Sequence, residues 1–314
     1  MTPTDPDRHF HLVPAEQAGL RLDQCVARAF AGLSRRRARG VISDGEVWLN
    51  GKPTRVLSRR VSAGDRITWF PAEEEGEPSQ ALDWERLGGR PELVFRDHSV
   101  AIVNKPSGVA TEPTRGEDLR TSLRRLEALL REEGVHPSKV FVAAAHRLDT
   151  QASGLVAFAL SREAAAHLSA QFAARTASRT YHALVSGLLE GDEERRLEGD
   201  IAKVGPGSRR GVVPAGEGKR AVTWVRPLER LGDATWVELR LETGRTHQIR
   251  VHMSDLGHPL LGDRLYGPRP LRAERLMLHA RRLTLEHPDG RELALEAPHP
   301  ADFTAALESL RGGG

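Results

Sequence analysis

Two apolar stretches of the chain, residues 140–145 and 156–160, have the length and composition of buried β-strands. Between them lies a polar loop in which Asp149 closely follows Arg147 and precedes several small residues. A carboxylate beside a guanidinium stays ionised, and small neighbours leave room for a bulky substrate. The pattern therefore predicts two strands that present one carboxylate in a loop. The local pattern alone also fits a structural Arg–Asp pair in a turn.

The first part of the chain has the pattern of a small α+β module. Leu22, Val26 and Phe30 recur at helical spacing, and Ser34 can cap a second helix. The Asn-Gly pair at residues 50–51, between two short apolar runs, is a strong short-range signal for a hairpin. Two short helices followed by a small sheet are therefore predicted.

Changes in composition divide the chain into four segments. Residues 1–18 are predicted to be a disordered lead or a first strand, and residues 19–70 are the predicted small module. Residues 71–91 are rich in Glu, Pro and Gly, which cannot bury a core, and they predict a flexible acidic linker. Residues 92–312 are the predicted larger domain, since this chain length suits about two domains.

Within the larger domain, strand patterns alternate with helix patterns. Residues 119–133 predict an amphipathic helix, and Ser161 can cap another helix that runs to about residue 174. Residues 302–310 have the pattern of a closing helix. Residues 203–220 are rich in Gly, Pro, Arg and Lys, and they predict a loop.

The basic residues are mostly arginines. They number 46, of which only five are Lys, and the net charge is +3. Because the guanidinium fork matches phosphate geometry, this composition favours a nucleic-acid partner. Biased codon usage explains the excess of Arg equally well.

Several classes of protein are disfavoured by the sequence. The single cysteine, Cys25, excludes an internal disulfide and a Cys-based zinc site. A signal-peptide pattern and a run of about 18 apolar residues are both lacking, so a cytoplasmic protein that does not enter the membrane is expected. Neither a phosphate loop nor a dinucleotide fingerprint occurs, and no cofactor is expected.

Four histidines late in the chain invite a metal hypothesis. No acidic residue stands at a companion ligand spacing, so no metal site is expected there. The four are His247, His252, His258 and His279.

Residues 146–155, His-Arg-Leu-Asp-Thr-Gln-Ala-Ser-Gly-Leu, resemble the catalytic signature of the pseudouridine synthases that modify large-subunit ribosomal RNA and some tRNAs. That family usually has Thr where this chain has Ala152, a departure that leaves the carboxylate in place. Residues 244–252, Gly-Arg-Thr-His-Gln-Ile-Arg-Val-His, match a second signature of the family. Tyr181 lies in a third pattern, in which Arg179 replaces the usual Lys.

Other matches follow in the order expected for that family, between residues 93 and 300. They are Asn104-Lys105-Pro106-Ser107-Gly108, Gly262-Asp263, Leu265-Tyr266-Gly267 and Leu278-His279-Ala280. The small module, from about residue 20 to 70, resembles the RNA-binding module named after small-subunit ribosomal protein four. Its matching residues are Arg21-Leu22-Asp23, Ser34-Arg35, Gly45 and Asn50-Gly51.

The resemblance implies a fold and a reaction. The expected fold is α+β: a pseudouridine synthase fold with a mixed, mainly antiparallel central sheet flanked by helices, plus a small α+β N-terminal RNA-binding module. The expected activity isomerises uridine to pseudouridine in structured RNA, and the attached module favours large-subunit ribosomal RNA. This reaction breaks the glycosidic bond, turns the base and joins its carbon five to the ribose. It is redox-neutral, and the target base must leave its stack.

The resemblance also implies roles for individual residues. Asp149 would be a nucleophile at the anomeric carbon or the base that generates a glycal intermediate, and the sequence leaves both routes open. Arg250 would pair with this carboxylate and keep it ionised. Tyr181 would pack against the uracil and relay or take the carbon-five proton. Arg147 would enter the RNA stack in place of the flipped base, with His146 nearby.

A further set of basic side chains is predicted to contact RNA. For one of them, Lys105, an ordinary surface position fits equally well. The set comprises Arg35, Arg36, Arg37 and Arg39 on the second helix, Lys105, and Arg209, Arg210, Lys219 and Arg220 in the predicted loop.

Three other functions remain compatible with the sequence. The substrate is tRNA in the first, and the second is a non-catalytic RNA-binding or ribosome-assembly factor on a synthase scaffold. The third is a metal hydrolase, which predicts inhibition by chelators. A monomer is expected in each case.

Overall fold

The computed structural model describes residues 10–30, 33–69, 84–113, 120–136, 139–205, 207–268 and 272–312. The chain divides into two compact units, a smaller one of residues 1–81 with 134–140 and a larger one of residues 82–133 with 141–314. Among the described helices, none has the length and apolar character needed to cross a membrane.

The smaller unit packs two helices against a four-stranded antiparallel sheet of order β1-β4-β2-β3. Leu22 and Val26 of the first helix are fully buried with Ile42 of the second. Ser34 caps the second helix, since its hydroxyl accepts a hydrogen bond from the backbone N–H of Arg37 at 3.2 Å. The elements are β1 (Phe10–Leu12), α1 (Leu22–Ala29), α2 (Arg35–Asp44), β2 (Val47–Leu49), β3 (Lys52–Pro53) and β4 (Arg66–Trp69).

Residues 1–18, for which the sequence predicts a disordered lead or a first strand, contain a strand in their described part. Residues 10–12 pair with β4 in register, with Phe10 opposite Thr68 and Leu12 opposite Arg66. This strand, the second of the two alternatives, forms an edge of the small sheet.

The flexible linker expected over residues 71–91 is shorter than predicted, because its described part belongs to the larger unit. Residues 70–83 lie outside the described part of the chain. From Trp84 onward the segment packs on the larger unit, where the indole donates a hydrogen bond to Glu132 at 3.2 Å. Arg125, a buried residue, donates to the carbonyl oxygen of Leu87 at 2.8 Å.

The larger unit is built on an eleven-stranded sheet. In the part of the chain that the structure describes, its pairings are antiparallel except the one between β14 and β8, so the predicted mixed, mainly antiparallel sheet is confirmed. The main path runs β11-β10-β12-β13-β9-β14-β8-β6-β5, with β15 beside β14 and β7 beside β8. The strands are β5 (Glu92–Arg96), β6 (Val100–Lys105), β7 (Ala143–Ala144), β8 (Ser153–Ala159), β9 (Ser178–Ser186), β10 (Arg195–Lys203), β11 (Arg210–Val213), β12 (Lys219–Leu231), β13 (Ala234–Leu241), β14 (Leu278–Glu286) and β15 (Glu292–Glu296).

Four helices belong to the described part of the larger unit. They are α3 (Ser122–Glu132), α4 (Arg162–Ala174), α5 (Gln248–Asp255) and α6 (Ala301–Gly312). Helix α4 has the predicted bounds because Ser161 caps it, accepting from the backbone N–H of Ala164 at 3.1 Å. Helix α3 begins after the capping residue Thr121, whereas Leu119, where the prediction began, lies outside the described residues.

The loop predicted over residues 203–220 is wrong in its middle. Residues 210–213 form β11, which pairs with β10 so that Gly211 lies opposite Ala202 and Val212 opposite Ile201. The cross-strand partners, rather than the Gly- and Pro-rich composition, decide the conformation of this segment.

Candidate active site

Asp149 lies in the loop between β7 and β8, and its backbone is held on both sides. The N–H of Ala152 donates to the carbonyl oxygen of Asp149 at 3.0 Å, and the N–H of Leu148 donates to the hydroxyl of Thr111 at 3.1 Å. Thr150 accepts from the N–H of Gly108 at 2.8 Å. The carboxylate keeps 22% side-chain exposure. A charged group thus stands at a fixed place with one side open.

The carboxylate of Asp149 lies beside Arg250, in the first turn of α5. One terminal nitrogen of the guanidinium, Nη1, donates to the Asp149 carboxylate at 3.1 Å. The other edge of the guanidinium makes two hydrogen bonds to Asp263, Nε at 2.8 Å and Nη2 at 2.9 Å. Arg250 is therefore shared between two carboxylates.

Burial alone would lower the pKa of Arg250, but the hydrogen bonds and charge of Asp263, and then those of Asp149, outweigh it and raise the pKa. Burial opposes ionisation of Asp263 too. Its pKa is nevertheless lowered, because Arg250 and the backbone N–H groups of Leu265 and Tyr266 bind the carboxylate. Both ends of the Arg250–Asp263 pair therefore remain charged.

Tyr181 is a buried residue of β9, where it lies opposite Leu239 of β13 and Ala280 of β14. Burial raises the pKa of the Tyr181 hydroxyl, and the nearby charge of Arg179 opposes that shift in part. The phenol is therefore neutral at physiological pH.

Asp149, Tyr181 and Arg250 line one cavity of about 400 Å³. Its size suits a single nucleoside and is too small for a stacked duplex. The apolar wall consists of Leu148, Ala152, Tyr181, Ile249 and Leu278, and the charged wall includes Arg147, Asp149, Arg175, Arg179, Arg245 and Arg250.

Comparison with known proteins identifies the family. Residues 99–255 match the family model of the RNA pseudouridylate synthases, and residues 20–67 match that of the S4 domain. The ribosomal large subunit pseudouridine synthase D of Pseudomonas aeruginosa is 35% identical, over 95% of this chain and 94% of that protein. This chain belongs to the RNA pseudouridine synthase family.

Other relatives have the same extent. An uncharacterised RNA pseudouridine synthase of Mycobacterium bovis is 36% identical over 96% of this chain and 98% of that protein. Among solved structures, human RNA Pseudouridylate Synthase Domain Containing 1 aligns at a TM-score of 0.56 with 28% identity, covering 75% of this chain and 98% of that chain. As an RNA pseudouridine synthase, the protein is an isomerase whose partner is RNA.

One basic residue predicted to touch RNA in this synthase does not reach the surface. Lys105 is fully buried at the end of β6, and its ammonium group donates to backbone carbonyl oxygens. Burial lowers the pKa of Lys105 to about 7, while the charge of Asp149 opposes the shift. The prediction that Lys105 contacts RNA is wrong. The acceptors are the carbonyl oxygens of Pro106 at 3.0 Å, Val109 at 2.7 Å, Thr150 at 3.2 Å, and Ala152.

His146 and Arg147 open the signature loop and differ in environment. Arg147 is exposed at the cavity. His146 is turned toward β8, where its Nε2 accepts from the backbone N–H of Ala157 at 3.2 Å, and its ring lies 4.7 Å from that of Phe172. Burial lowers the pKa of His146 to about 3, so the imidazole is neutral. It offers RNA no positive charge.

The remaining predicted RNA contacts lie in two places. In the smaller unit, the arginines of α2 are exposed, as contact with RNA requires. In the larger unit, Arg209 donates to the carbonyl oxygen of Leu265 at 2.8 Å, and the backbone N–H of Arg210 donates to the hydroxyl of Tyr266 at 2.9 Å. These exposed arginines are Arg35, Arg36, Arg37 and Arg39.

The late histidines bind different partners. Among the described residues, no three His, Cys, Asp or Glu side chains are grouped to hold a metal ion. The partners are the Tyr266 hydroxyl for His247, the Thr223 hydroxyl for His252, the Ser186 carbonyl for His258 and the Ser153 hydroxyl for His279.

Sequence reasoning gave no role to Asp263, although it lay within a recognised match. The signal present in the sequence was the carboxylate of Asp263 directly after Gly262, with Tyr266 and Gly267 three and four residues later. Nothing in that spacing indicates a partner 13 residues upstream on another element. The pairing becomes visible only when α5 is folded against this turn.

Proposed function

We propose that this enzyme isomerises specific uridines to pseudouridine in large-subunit ribosomal RNA, with Asp149 as the reacting carboxylate. The Asp149–Arg250 contact of 3.1 Å inside a nucleoside-sized cavity is the observation that supports the proposal best. The ribosomal substrate is suggested by the name of the relative in Pseudomonas aeruginosa, which aligns over nearly the whole chain. The S4 domain over residues 20–67 supports a structured RNA.

The size of the cavity dictates how the substrate enters. A uridine within a helix cannot reach a carboxylate that lies inside a cavity of about 400 Å³. The nucleotide therefore leaves its stack and enters alone. Arg147, exposed at the cavity, is suited to occupy the space that the base leaves. Its guanidinium plane can stack on the neighbouring bases.

Asp149 then acts on the ribose. Its carboxylate either attacks the anomeric carbon or removes a proton to give a glycal, and in both routes the bond to the uracil nitrogen breaks. The negative charge also favours positive charge that develops at the anomeric carbon. The released uracil turns in the cavity, and its carbon five bonds to the anomeric carbon. This step displaces the Asp149 carboxylate in the first route, and in the second it is accompanied by return of the proton from Asp149 to the ribose. Carbon five then loses its proton, and the nitrogen released from the ribose takes one up. The isomerisation needs no electron donor, so the proposed reaction uses no cofactor.

Tyr181 provides the wall against which the uracil turns. Its side chain is buried and lines the cavity together with apolar residues such as Leu148 and Ile249. Because burial raises the pKa of its hydroxyl, the phenol is protonated when the base binds. We propose that this hydroxyl relays the proton from carbon five rather than receiving it as a phenolate.

The test is to map pseudouridine by mass spectrometry in RNA from a strain that lacks the protein and from the same strain complemented with it. We expect uridines in large-subunit ribosomal RNA to become pseudouridine only with the wild-type protein. The Asp149→Asn variant should give no product, because a neutral amide neither attacks nor accepts the proton, while its affinity for RNA stays near wild type. Product formation by Asp149→Asn would reject Asp149, and product confined to tRNA would reject the ribosomal substrate.

A further inference from the structure

The guanidinium of Arg250 lies between two carboxylates of unequal environment. Asp149 accepts one hydrogen bond and keeps 22% exposure, whereas Asp263 accepts two and its side chain has none. The bidentate contact to Asp263, at 2.8 and 2.9 Å, is the geometry in which Arg binds a carboxylate best. Arg250 is thus anchored to Asp263 and only touches Asp149.

Asp263 does not itself line the proposed substrate cavity. It is not among the described residues that line the cavity of Asp149. Its oxygens also accept the backbone N–H groups of Leu265 at 2.9 Å and Tyr266 at 3.0 Å. Whatever Asp263 does for the reaction, it does through Arg250 or through this turn.

The turn that carries Asp263 has little freedom to move. Gly262 has φ +72°, and a Cβ there would lie 1.8 Å from the carbonyl oxygen of Arg275. Tyr266 packs its ring 5.0 Å from the guanidinium carbon of Arg250. A rigid turn therefore fixes both the carboxylate and the aromatic face that hold Arg250.

We propose that Asp263 is a positioning residue that neutralises Arg250 and holds it at one hydrogen bond from Asp149, so that Asp149 keeps the negative charge needed for the reaction. The inference rests on the roles proposed above for Asp149 and Arg250. Two carboxylates and one guanidinium leave one net negative charge in the cluster. Because Arg250 makes two hydrogen bonds to Asp263 and only one to Asp149, the net negative charge resides on Asp149, the more exposed carboxylate.

Without Asp263, Arg250 would have Asp149 as its only carboxylate partner in this cluster. A buried guanidinium with a single counter-charge pairs fully with it, and Arg250 would turn both edges toward Asp149. The Asp149 carboxylate would then be neutralised and its oxygens occupied by N–H donors. Such a carboxylate is a poorer nucleophile, a poorer base and a weaker stabiliser of positive charge at the anomeric carbon.

The experiment measures kcat and KM for uridine isomerisation in large-subunit ribosomal RNA with wild type, Asp263→Asn and Asp263→Ser, well below the lowest melting temperature of the set. We expect kcat to fall about 100-fold in both variants, as for a misplaced catalytic group. KM should stay near wild type, because Asp263 does not touch RNA. Glu194→Gln is the matched control, since Glu194 also binds an arginine, Arg240, through two of its nitrogens, but on the surface. Its kcat should not change.

A double-mutant cycle separates positioning from mere structural support. In an Arg250→Lys background, Asp263→Asn should change kcat far less than 100-fold, because the group through which it acts is gone. Equal losses in both backgrounds, or a wild-type kcat in Asp263→Asn and Asp263→Ser, would overturn the inference. If the wild-type protein itself forms no pseudouridine, the proposed function fails, and this inference fails with it.

Discussion

Lys105 carries its ammonium group into the interior of the larger unit and ties two segments together there. Two of its carbonyl acceptors follow β6, and the other two, Thr150 and Ala152, lie directly after Asp149 in the chain. The ammonium group thus provides a donor to four backbone carbonyl oxygens, of which that of Thr150 also accepts from the N–H of Gly108. A residue that looked like an RNA contact is thus part of the support of the signature loop.

Replacing Lys105 by Met tests this role. Met keeps most of the aliphatic volume but offers no donor, so the carbonyl oxygens lose their partner. We expect a loss of about 1–3 kcal/mol in the free energy of unfolding, measured by urea denaturation at neutral pH. The control is Lys203→Met, at an exposed lysine of β10, which should stay within about 0.5 kcal/mol of wild type. Equal midpoints for the two variants would contradict the structural role.

At the scale of elements, the parallel pairing of β8 with β14 places the signature loop. Gly154 lies opposite Ala280 in that pairing, with φ +113°, and a Cβ on it would lie 2.3 Å from the carbonyl oxygen of Ala280. The Ser153 hydroxyl and the Nδ1 of His279 are 2.9 Å apart across the same two strands. The Ser-Gly pair of the signature therefore brings the two strands close together directly after Asp149.

Substituting Gly154 by Ala should separate these strands. The backbone conformation alone costs about 1–2 kcal/mol for a residue with Cβ, and the clash with Ala280 adds a further 1–3 kcal/mol, roughly. Gly290→Ala is the control for conformation alone, since Gly290 has φ +90° and nothing lies within 4 Å of its added Cβ. We expect Gly154→Ala to lower the melting temperature more than Gly290→Ala, and to lower kcat. Equal effects would show that close approach of the strands is unimportant.

Local signals predicted some of these elements well. Helix α4 has the predicted bounds because Ser161 and the residues after it carry the capping signal within a few positions. β11 was missed because its conformation depends on β10, whose pairing no local composition reveals. For residues 1–18 the sequence left a disordered lead and a first strand open, and the pairing of Phe10 with Thr68, more than fifty residues later, decides for the strand in the described part. The errors fall where long-range contacts override local preference.

In the candidate site too, local motifs predicted some residues, whereas the roles of others depend on long-range contacts. Asp149, Tyr181 and Arg250 were named from signatures, and the structure brings all three to one cavity. Lys105 and Asp263 stood in matched segments too, but their roles depend on burial, which a short motif does not state. The acceptors of Lys105 include residues 45 and 47 positions away, so its environment could not be predicted from the neighbouring residues in the sequence.

For the molecule as a whole, uncharged histidines are a recurrent feature of the larger unit. Burial lowers the pKa of His146 and of His182 to about 3 and that of His279 to about 4. Burial also lowers the pKa of His252 and of His299. Each is held neutral in the folded chain, whereas the unfolded chain binds a proton at about pH 6.5.

Because these histidines have a lower pKa in the folded chain than in the unfolded chain, the larger unit loses stability at acid pH. As the pH falls below about 6.5, the unfolded chain takes up protons that the folded chain refuses, so the free energy of unfolding falls. Each fully neutral histidine contributes up to about 1.4 kcal/mol per pH unit in this range. Carboxylates of lowered pKa, such as Asp263, act in the same direction but near pH 4 and below. The loss between about pH 6.5 and 4.5 is therefore due chiefly to histidine.

Urea denaturation followed by circular dichroism at several pH values measures the effect. We expect the midpoint to fall steadily from pH 7 to 5 in wild type, and to fall less steeply in His182→Gln, because one histidine that refuses a proton is removed. The exposed His98, changed to Gln, should leave the slope unchanged. A flat midpoint between pH 7 and 5 in wild type would mean that the buried histidines accept protons without unfolding. The neutral environment described for His146, His182 and His279 would then be wrong.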